Sequence, residues 1–441
     1  MSMRAATLTL SALAAALLLA ACAGREAFSD AEGIGADPTL PAPRQSLIPT
    51  VDIAPASGWK AGEAPTPARG LRVTRFADGL QHPRWLHVLP NGDVLVAESN
   101  GPAGKSGVRG FKGKVMGAVM KRAGAGEPSA DRITLLRDTD GDGVAEQSHV
   151  FASGLHSPFG MVLVGQTLYI ANADALVALP YREGQTRIDT SPRQVLALPG
   201  KGDELNHHWT KSLLASADGK HLYVGVGSNS NVGENGMTAE THRAAVLEID
   251  PATGSQRVFA DGLRNPVGLA WAPGSGALWA VVNERDELGN DLVPDYLTEV
   301  RAGAFYGWPY SYWGQHLDPR VSPQRPELVA RAVKPDYALG SHVAPLGLAF
   351  SNGGSWSGGQ AGAVIGLHGS WNRKPQVGYK VVFVPFADGK PAGAMQDLLT
   401  GFLDAEGNAR GRPVGIAIQQ DGGILVADDV GNAVWRLAPA R

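Results

Sequence analysis

The chain has 441 residues, 44% of them hydrophobic and 18% charged, and a formal net charge of −3. That balance excludes a basic nucleic-acid binder and leaves ample apolar content for a folded domain. One cysteine, Cys22, rules out an internal disulfide.

In chain order, the first element is an export signal. Arg4 precedes an apolar run, Ala5 to Ala21, that is too short and alanine-rich for a membrane-spanning helix. The run ends in Leu19-Ala20-Ala21-Cys22, the small-residue pattern before cysteine that bacterial lipoprotein processing recognises. Residues 1–21 are therefore predicted to be removed and Cys22 to carry lipid; an ordinary signal peptide cut nearby is the plainer alternative. Ala23 is not the acid linked to inner-membrane retention, so the expected location is the periplasmic face of the outer membrane. Residues 1–21 contain one charge, Arg4, so processing takes −3 to −4. Residues 22–68 carry Pro38, Pro41, Pro43, Pro49, Pro55, Pro65 and Pro67 among small polar residues and read as a flexible tether. Lys105 to Arg122, basic throughout, reads as a solvated loop or a contact with anionic lipid.

Residues 69–441 repeat one pattern: a Pro or Gly turn, a short apolar strand, a polar turn and a second apolar strand. The copies begin at Gly79, Gly154, Trp209, Gly262, Pro345 and Arg412. Asn-Gly, Asp-Gly or Gly-Gly turns between β-rich runs signal hairpins. Six copies at intervals that leave room for two further strands each predict an all-β fold, a six-bladed β-propeller. In propellers the ends of the inner strands form the usual ligand face, so the repeat boundaries are where chemistry is sought.

Asn206-His207-His208-Trp209 precedes the third copy, and two adjacent histidines cannot both face the channel. Arg264-Asn265-Pro266 opens the fourth copy and Arg410-Gly411-Arg412-Pro413 the sixth, with Arg373 at another repeat end. Converging arginines suit a ligand with several carboxylates. Asp138, Asp140, Asp142 and Glu146 have the alternation of a calcium loop, but His149 stands at position twelve, so a tight hairpin turn is the competing reading. Asn283 to Asp291 offers oxygens for a hard cation near the channel. Trp308, Tyr310, Tyr312 and Trp313 suit either a sugar-stacking wall or blade packing.

The motifs HWTK, GLRNPVGLAW, YGWP, HVAPLGLAF, GSWNR and RGRPVG, in that order, resemble the soluble pyrroloquinoline-quinone sugar dehydrogenases. They are nearest the branch described as sorbosone or aldose dehydrogenases, over roughly residues 70–437. The resemblance implies that His208 is the base for the sugar hydroxyl and that Arg264 and Asn265 contact the quinone oxygens. It implies that Arg410 and Arg412 clamp the cofactor carboxylates. Calcium would be held by backbone carbonyls near Glu284 and Arg285. Where the well-known glucose enzyme has a lysine against the cofactor, this chain offers Arg373 or His342. Sugar oxidation, with electrons passed to a separate quinone or cytochrome acceptor, is the activity implied. A metal-dependent lactonase using Glu98, Asn172 and Asp428, or a non-catalytic envelope scaffold, is the alternative.

Overall fold

The computed structural model describes residues 28–44, 50–102, 121–202 and 204–440. The signal peptide, Cys22 and most of the basic stretch 105–122 lie outside these residues. Strands dominate, and among the described residues they form seven sheets, six arranged as the blades of a propeller and one a two-stranded pair, Ser311–Tyr312 with His316–Leu317.

Each blade is an antiparallel meander whose first strand is innermost. These inner strands are Pro83–Val88, Met161–Val164, Lys211–Ala215, Pro266–Trp271, Pro345–Ser351 and Pro413–Ile418. Each packs against the next around a closed ring. The sixth blade is completed by a strand from far upstream: Leu71–Ala77 pairs with Ala433–Pro439 and joins the two halves of the chain. This closure removes the free edge that a linear array of sheets would leave.

The repeat found in the sequence has a packing cause. Pro158-Phe159-Gly160, Pro266-Val267-Gly268, Pro345-Leu346-Gly347 and Pro413-Val414-Gly415 occupy matching positions in four blades. The inner strands run so close there that a Cβ on Gly347 would sit 2.2 Å from the Val414 carbonyl oxygen, and one on Gly160 2.3 Å from the Leu213 nitrogen. Glycine is required because neighbouring backbones fill the space. The residue between Pro and Gly turns inward: Phe159, Val267, Leu346 and Val414, from four blades, belong to one buried cluster with Trp85. Side chains from four blades can meet only at the axis, so the centre of the propeller is plugged with apolar groups. In the first copy that inward position is held by Arg84, within Pro83-Arg84-Trp85.

Residues 28–44 and 50–68 depart from the tether expected of residues 22–68. Ile34–Gly35 adds a fifth strand to the outside of the fourth blade, pairing with Leu339 and Ala338. Thr66–Pro67 pairs with Thr400 and Leu399 of the fifth blade. Between them Ala54 is fully buried. The Trp59 ring packs edge-on against Phe402 and Trp435, at 5.6 and 5.4 Å. The segment has no core of its own, as its composition says, but its few apolar groups use the propeller's surface instead.

Gly347→Ala is expected to lower the unfolding free energy by roughly 1–3 kcal/mol, the usual cost of overpacking a tight core. Urea titration of parent and variant measures it, and coincident midpoints would contradict the close approach described here.

Candidate active site at the channel mouth

Antiparallel pairing decides what meets what. The start of each inner strand lies beside the end of the second strand of its blade: Pro83 opposite Glu98, Lys211 opposite Val226, Pro266 opposite Val282, Pro345 opposite Leu367 and Pro413 opposite Asp428. Residues just before an inner strand and just after a second strand therefore share one mouth. His82, His208, Arg264, Asn265, His342 and Arg412 come from the first group, and Arg84 is the second residue of its inner strand. Ser228, Glu284, His368 and Asp429 come from the second.

His208 is fixed by its own blade. Its Nδ1 lies 2.7 Å from the Ser228 carbonyl oxygen and 3.2 Å from Ser228 Oγ. A carbonyl can only accept, so in the neutral imidazole the proton sits on Nδ1 and Nε2 keeps its lone pair. Burial, then the neighbouring His207 and Arg264, hold the His208 pKa well below 6.5. The ring is thus a neutral base at neutral pH. Gly227 makes room for it, since a Cβ there would fall 2.5 Å from His208 Cβ and 2.2 Å from Asn265 Oδ1. His207, packed edge-on to His208 at 4.6 Å, also has its pKa pushed down by burial, to about 4.

Arg264 is buried and donates through Nη1 to the Glu284 carbonyl at 2.7 Å and through Nη2 to Asp286 Oδ2 at 3.1 Å. Asp286 also receives Asn372 Nδ2 at 2.7 Å and lies 3.4 Å from His342 Nδ1. Burial works against the Asp286 charge, but Arg264 and His342 outweigh it and hold the carboxyl well below its usual range.

Arg412 differs from Arg264 in having no carboxylate. It is 5% exposed, it donates from Nη2 to the Ala54 carbonyl at 2.9 Å, and its guanidinium lies 5.2 Å from the Tyr379 ring centroid. Among the described residues no acidic side chain lies within salt-bridge distance of it. Burying an ion costs several kcal/mol after relaxation. One hydrogen bond from a charged group returns about 1.5–3 kcal/mol and a cation–π contact about 0.5–2. A buried cation left so incompletely matched is the mark of an anion site. The Nε atoms of Arg84, Arg264 and Arg412 are likewise buried without partners, three donors suited to carboxylate oxygens.

A second cluster at this mouth escaped the sequence reading. Asp429 Oδ2 pairs with Arg84 Nη1, lies 2.9 Å from His368 Nε2 and lies 3.6 Å from His82 Nε2. Burial opposes the Asp429 charge, yet His368, His82 and Arg84 together hold it far below the normal carboxylate range. Burial pushes the His82 pKa down to about 4. Arg84 also sits over the Trp209 and Phe159 rings, 5.7 and 6.0 Å from their centroids. The signal was available: Arg84, like Lys211 in the third copy, is charged at a repeat position that is apolar in the other four.

Other expected site residues fall elsewhere. Arg373 turns to the seam between the fourth and fifth blades, where its Nη2 meets Asp30 and, at 3.0 Å, Asp291, while Nη1 reaches the Ser341 carbonyl. It borders a cavity of about 270 Å³ with Phe28, Ile34 and Met395. Two carboxylates draw it there, and it makes no contact with the Arg264 or Arg412 groups. Arg410, one third exposed, faces Glu63 at 3.8 Å. Arg285 sends its side chain away from the mouth to Asp318 at 3.1 Å, leaving only its backbone for a metal. Glu284 accepts its own neighbour's amide, Arg285 N, at 2.9 Å, and burial raises its pKa to about 7.

Asp138, Asp140, Asp142 and Glu146 bring carboxylate oxygens within 4.8 Å of one another on the hairpin between Arg132–Arg137 and Gln147–Ala152. Asp138 accepts the Gly141 and Gly143 amides, and Glu146 accepts the Thr139 amide and hydroxyl. These bonds account for a tight turn without an ion. Trp308, Tyr310, Tyr312 and Trp313 are all buried; the last three pack in apolar clusters, while the Trp308 indole donates to the Asn231 carbonyl at 2.9 Å. Of the lactonase set, two members are committed, while Asn172 Oδ1 is buried without a partner. Glu98 is fully buried against Arg132 and Thr134, and Asp428 holds Trp59, Trp435 and two backbone amides.

One mouth of this propeller thus combines a neutral histidine, an arginine paired with a carboxylate and a buried arginine that has no carboxylate partner among the described residues. The chain belongs to the TrAA12-like family, whose sequence profile matches residues 130–299 and 326–440. It is 29% identical to an uncharacterized protein of Borreliella burgdorferi over 66% of this chain and 77% of that one. It is 26% identical to the pyrroloquinoline quinone-dependent pyranose dehydrogenase of Coprinopsis cinerea, covering 83% of this chain but only 54% of that enzyme's length. The holo structure of that enzyme's quinone domain superposes with a TM-score of 0.68, at 22% identity, over 88% of this chain and 100% of the domain. The soluble aldose sugar dehydrogenase of Escherichia coli gives a TM-score of 0.56 at 17% identity, over 84% of this chain and 100% of that one.

Asp429→Asn strands Arg84 as an unpaired buried cation. The expected loss of stability is about 3–5 kcal/mol, as for other broken buried pairs. Chemical denaturation at neutral pH measures it, and a loss under about 1 kcal/mol would show that the pair is not held as described.

Proposed function

We propose that this protein oxidises an aldose-type sugar, sorbosone- or glucose-like, with pyrroloquinoline quinone as cofactor, and passes the electrons to a separate quinone or cytochrome. The observation that carries the reading is the buried, unpaired guanidinium of Arg412 on the same mouth as the neutral His208. Arg412, Arg84 and Arg264 have the charge and free donors to hold a cofactor with several carboxylates. Bound there, the quinone supplies an electrophilic carbon that takes a hydride from the sugar.

The protein's own part is positioning and proton transfer. His208 Nε2 accepts the proton of the sugar hydroxyl as the hydride leaves the same carbon, so the sugar loses two electrons and the cofactor gains them. Arg264, anchored by the Glu284 carbonyl and Asp286, presents positive charge toward the neighbouring Asn265 and His208 loop. A calcium ion is the second cofactor we propose, at the Glu284–Asp286 turn. Asp286 is a buried carboxylate, the hard oxygen donor such an ion requires, and the Arg285 side chain is out of its way.

The test is a titration with quinone and calcium, followed by turnover on a panel of aldoses with an artificial acceptor. His208→Ala should leave quinone affinity unchanged and lower saturated turnover about a hundredfold, the share of a general base. Arg412→Ala should weaken quinone binding roughly ten- to a hundredfold, and Arg410→Ala, which faces Glu63, should change it less than threefold. Because the His208 pKa is depressed, the base-competent form persists as pH falls, and the acid limb of the kcat profile should lie below pH 6.5. A limb centred above 6.5 would mean that another group is the base. A parent protein that binds no quinone would remove the dehydrogenase reading altogether.

We also propose that the protein is exported and held at the outer membrane by lipid on Cys22. Cys22→Ala should shift it from the membrane to the soluble fraction of fractionated cells; unchanged sedimentation with membranes would exclude that anchor.

A further inference from the structure

The N-terminal segment, which has the composition of a tether, touches the anion-binding mouth at a specific point. The Ala54 carbonyl accepts Arg412 Nη2 at 2.9 Å, the one hydrogen bond that the guanidinium makes among the described residues. A few residues on, the Trp59 indole donates to Asp428 Oδ2 at 2.7 Å, while Asp428 Oδ1 receives the backbone amides of Arg412 and Gly431, each at 2.8 Å. The segment thus holds Arg412 twice, once by the head of its side chain and once through the carboxylate that fixes its backbone.

The approach is built. Asp428 is fully buried, and a Cβ on either Gly411 or Gly431 would lie 2.2 Å from its Oδ2, so both glycines leave the carboxylate its space. Ala56 bridges to Ala409, Ser57 N donates to the Ala409 carbonyl at 2.8 Å, and Asp52 N donates to the Trp371 carbonyl at 2.9 Å. These bonds join the segment to the loops before the sixth inner strand and after the second strand of the fifth blade. A segment that served only as a spacer would gain nothing from ordering about a dozen residues, at about 1–2 kcal/mol each in backbone entropy.

We infer that residues 51–63 are a structural part of the cofactor site, with Trp59 as a positioning residue that sets Arg412 for its anionic ligand through Asp428 and the Ala54 carbonyl. The inference rests on the quinone reading for the identity of that ligand, but not for the contact itself. Arg412 keeps its full charge, because a backbone carbonyl orients a guanidinium without neutralising it. Cutting the contact should therefore loosen cofactor binding and leave the chemical step at saturating cofactor alone.

The experiment uses the full chain with Trp59→Phe, which removes the indole N–H and keeps a ring, and Trp59→Ala, which removes both. Two readouts are taken: the quinone dissociation constant with kcat at saturation, and the rate at which phenylglyoxal modifies Arg412, followed by peptide mass spectrometry without cofactor. The expected result is a dissociation constant raised about threefold to fivefold in Trp59→Phe and about tenfold or more in Trp59→Ala, with kcat unchanged. Arg412 modification should be several-fold faster in Trp59→Ala, and that of Arg187, exposed on the second blade and away from the segment, unchanged. Equal Arg412 modification in parent and Trp59→Ala overturns the inference, as does an unchanged dissociation constant in a parent that binds quinone. If no variant binds quinone yet Arg412 is released in Trp59→Ala, the positioning role stands and the dehydrogenase reading fails.

Discussion

The rest of this structure depends on how closely six inner strands approach one another at the axis. Side chains are excluded at the glycines, and the residues just before them are forced inward to fill the centre. What remains for the loops at either end is therefore narrow: groups preceding an inner strand are crowded against groups following a second strand. Polar side chains at those places must find partners across blades, and this is why residues from the ends of the sequence, such as Arg84 and Asp429, form one ion pair. The chemistry of the mouth is a consequence of the packing below it.

Within that crowding, two kinds of arginine are kept. Arg264 and Arg84 are balanced by Asp286 and Asp429, carboxylates that their cationic neighbours hold ionised against the effect of burial. Arg412 is left with a carbonyl and an aromatic face. The difference separates charge that the fold keeps for its own cohesion from charge reserved for a partner. His208 follows the same logic with the sign reversed: burial keeps it uncharged, and one carbonyl dictates which nitrogen is free.

The propeller was legible because its repeat is dictated locally: a turn and two apolar strands leave the same trace in each blade, and in four of them so does a glycine forced by a neighbour. The mouth was legible wherever a site residue lies next to that trace, as His208, Arg264 and Arg412 do. Arg373 also lies at a repeat end, yet its direction is set by Asp30 and Asp291, far away in sequence, and nothing local reveals that pull. The Arg84, His82, His368 and Asp429 group is scattered over three blades and was missed for the same reason. The segment before the first blade misled most, because its composition correctly denies it a core of its own but says nothing of surfaces it can borrow.

The apolar plug at the centre has a consequence for traffic. Phe159, Val267, Leu346 and Val414, drawn from four blades, lie in one buried cluster. On the proposed reading, a cofactor held by the arginines and a sugar taken up at His208 would share the one mouth above it. Their exchange would then be coupled: the cofactor could leave only while the sugar's place is empty, and it would be kept through successive turnovers with no covalent bond.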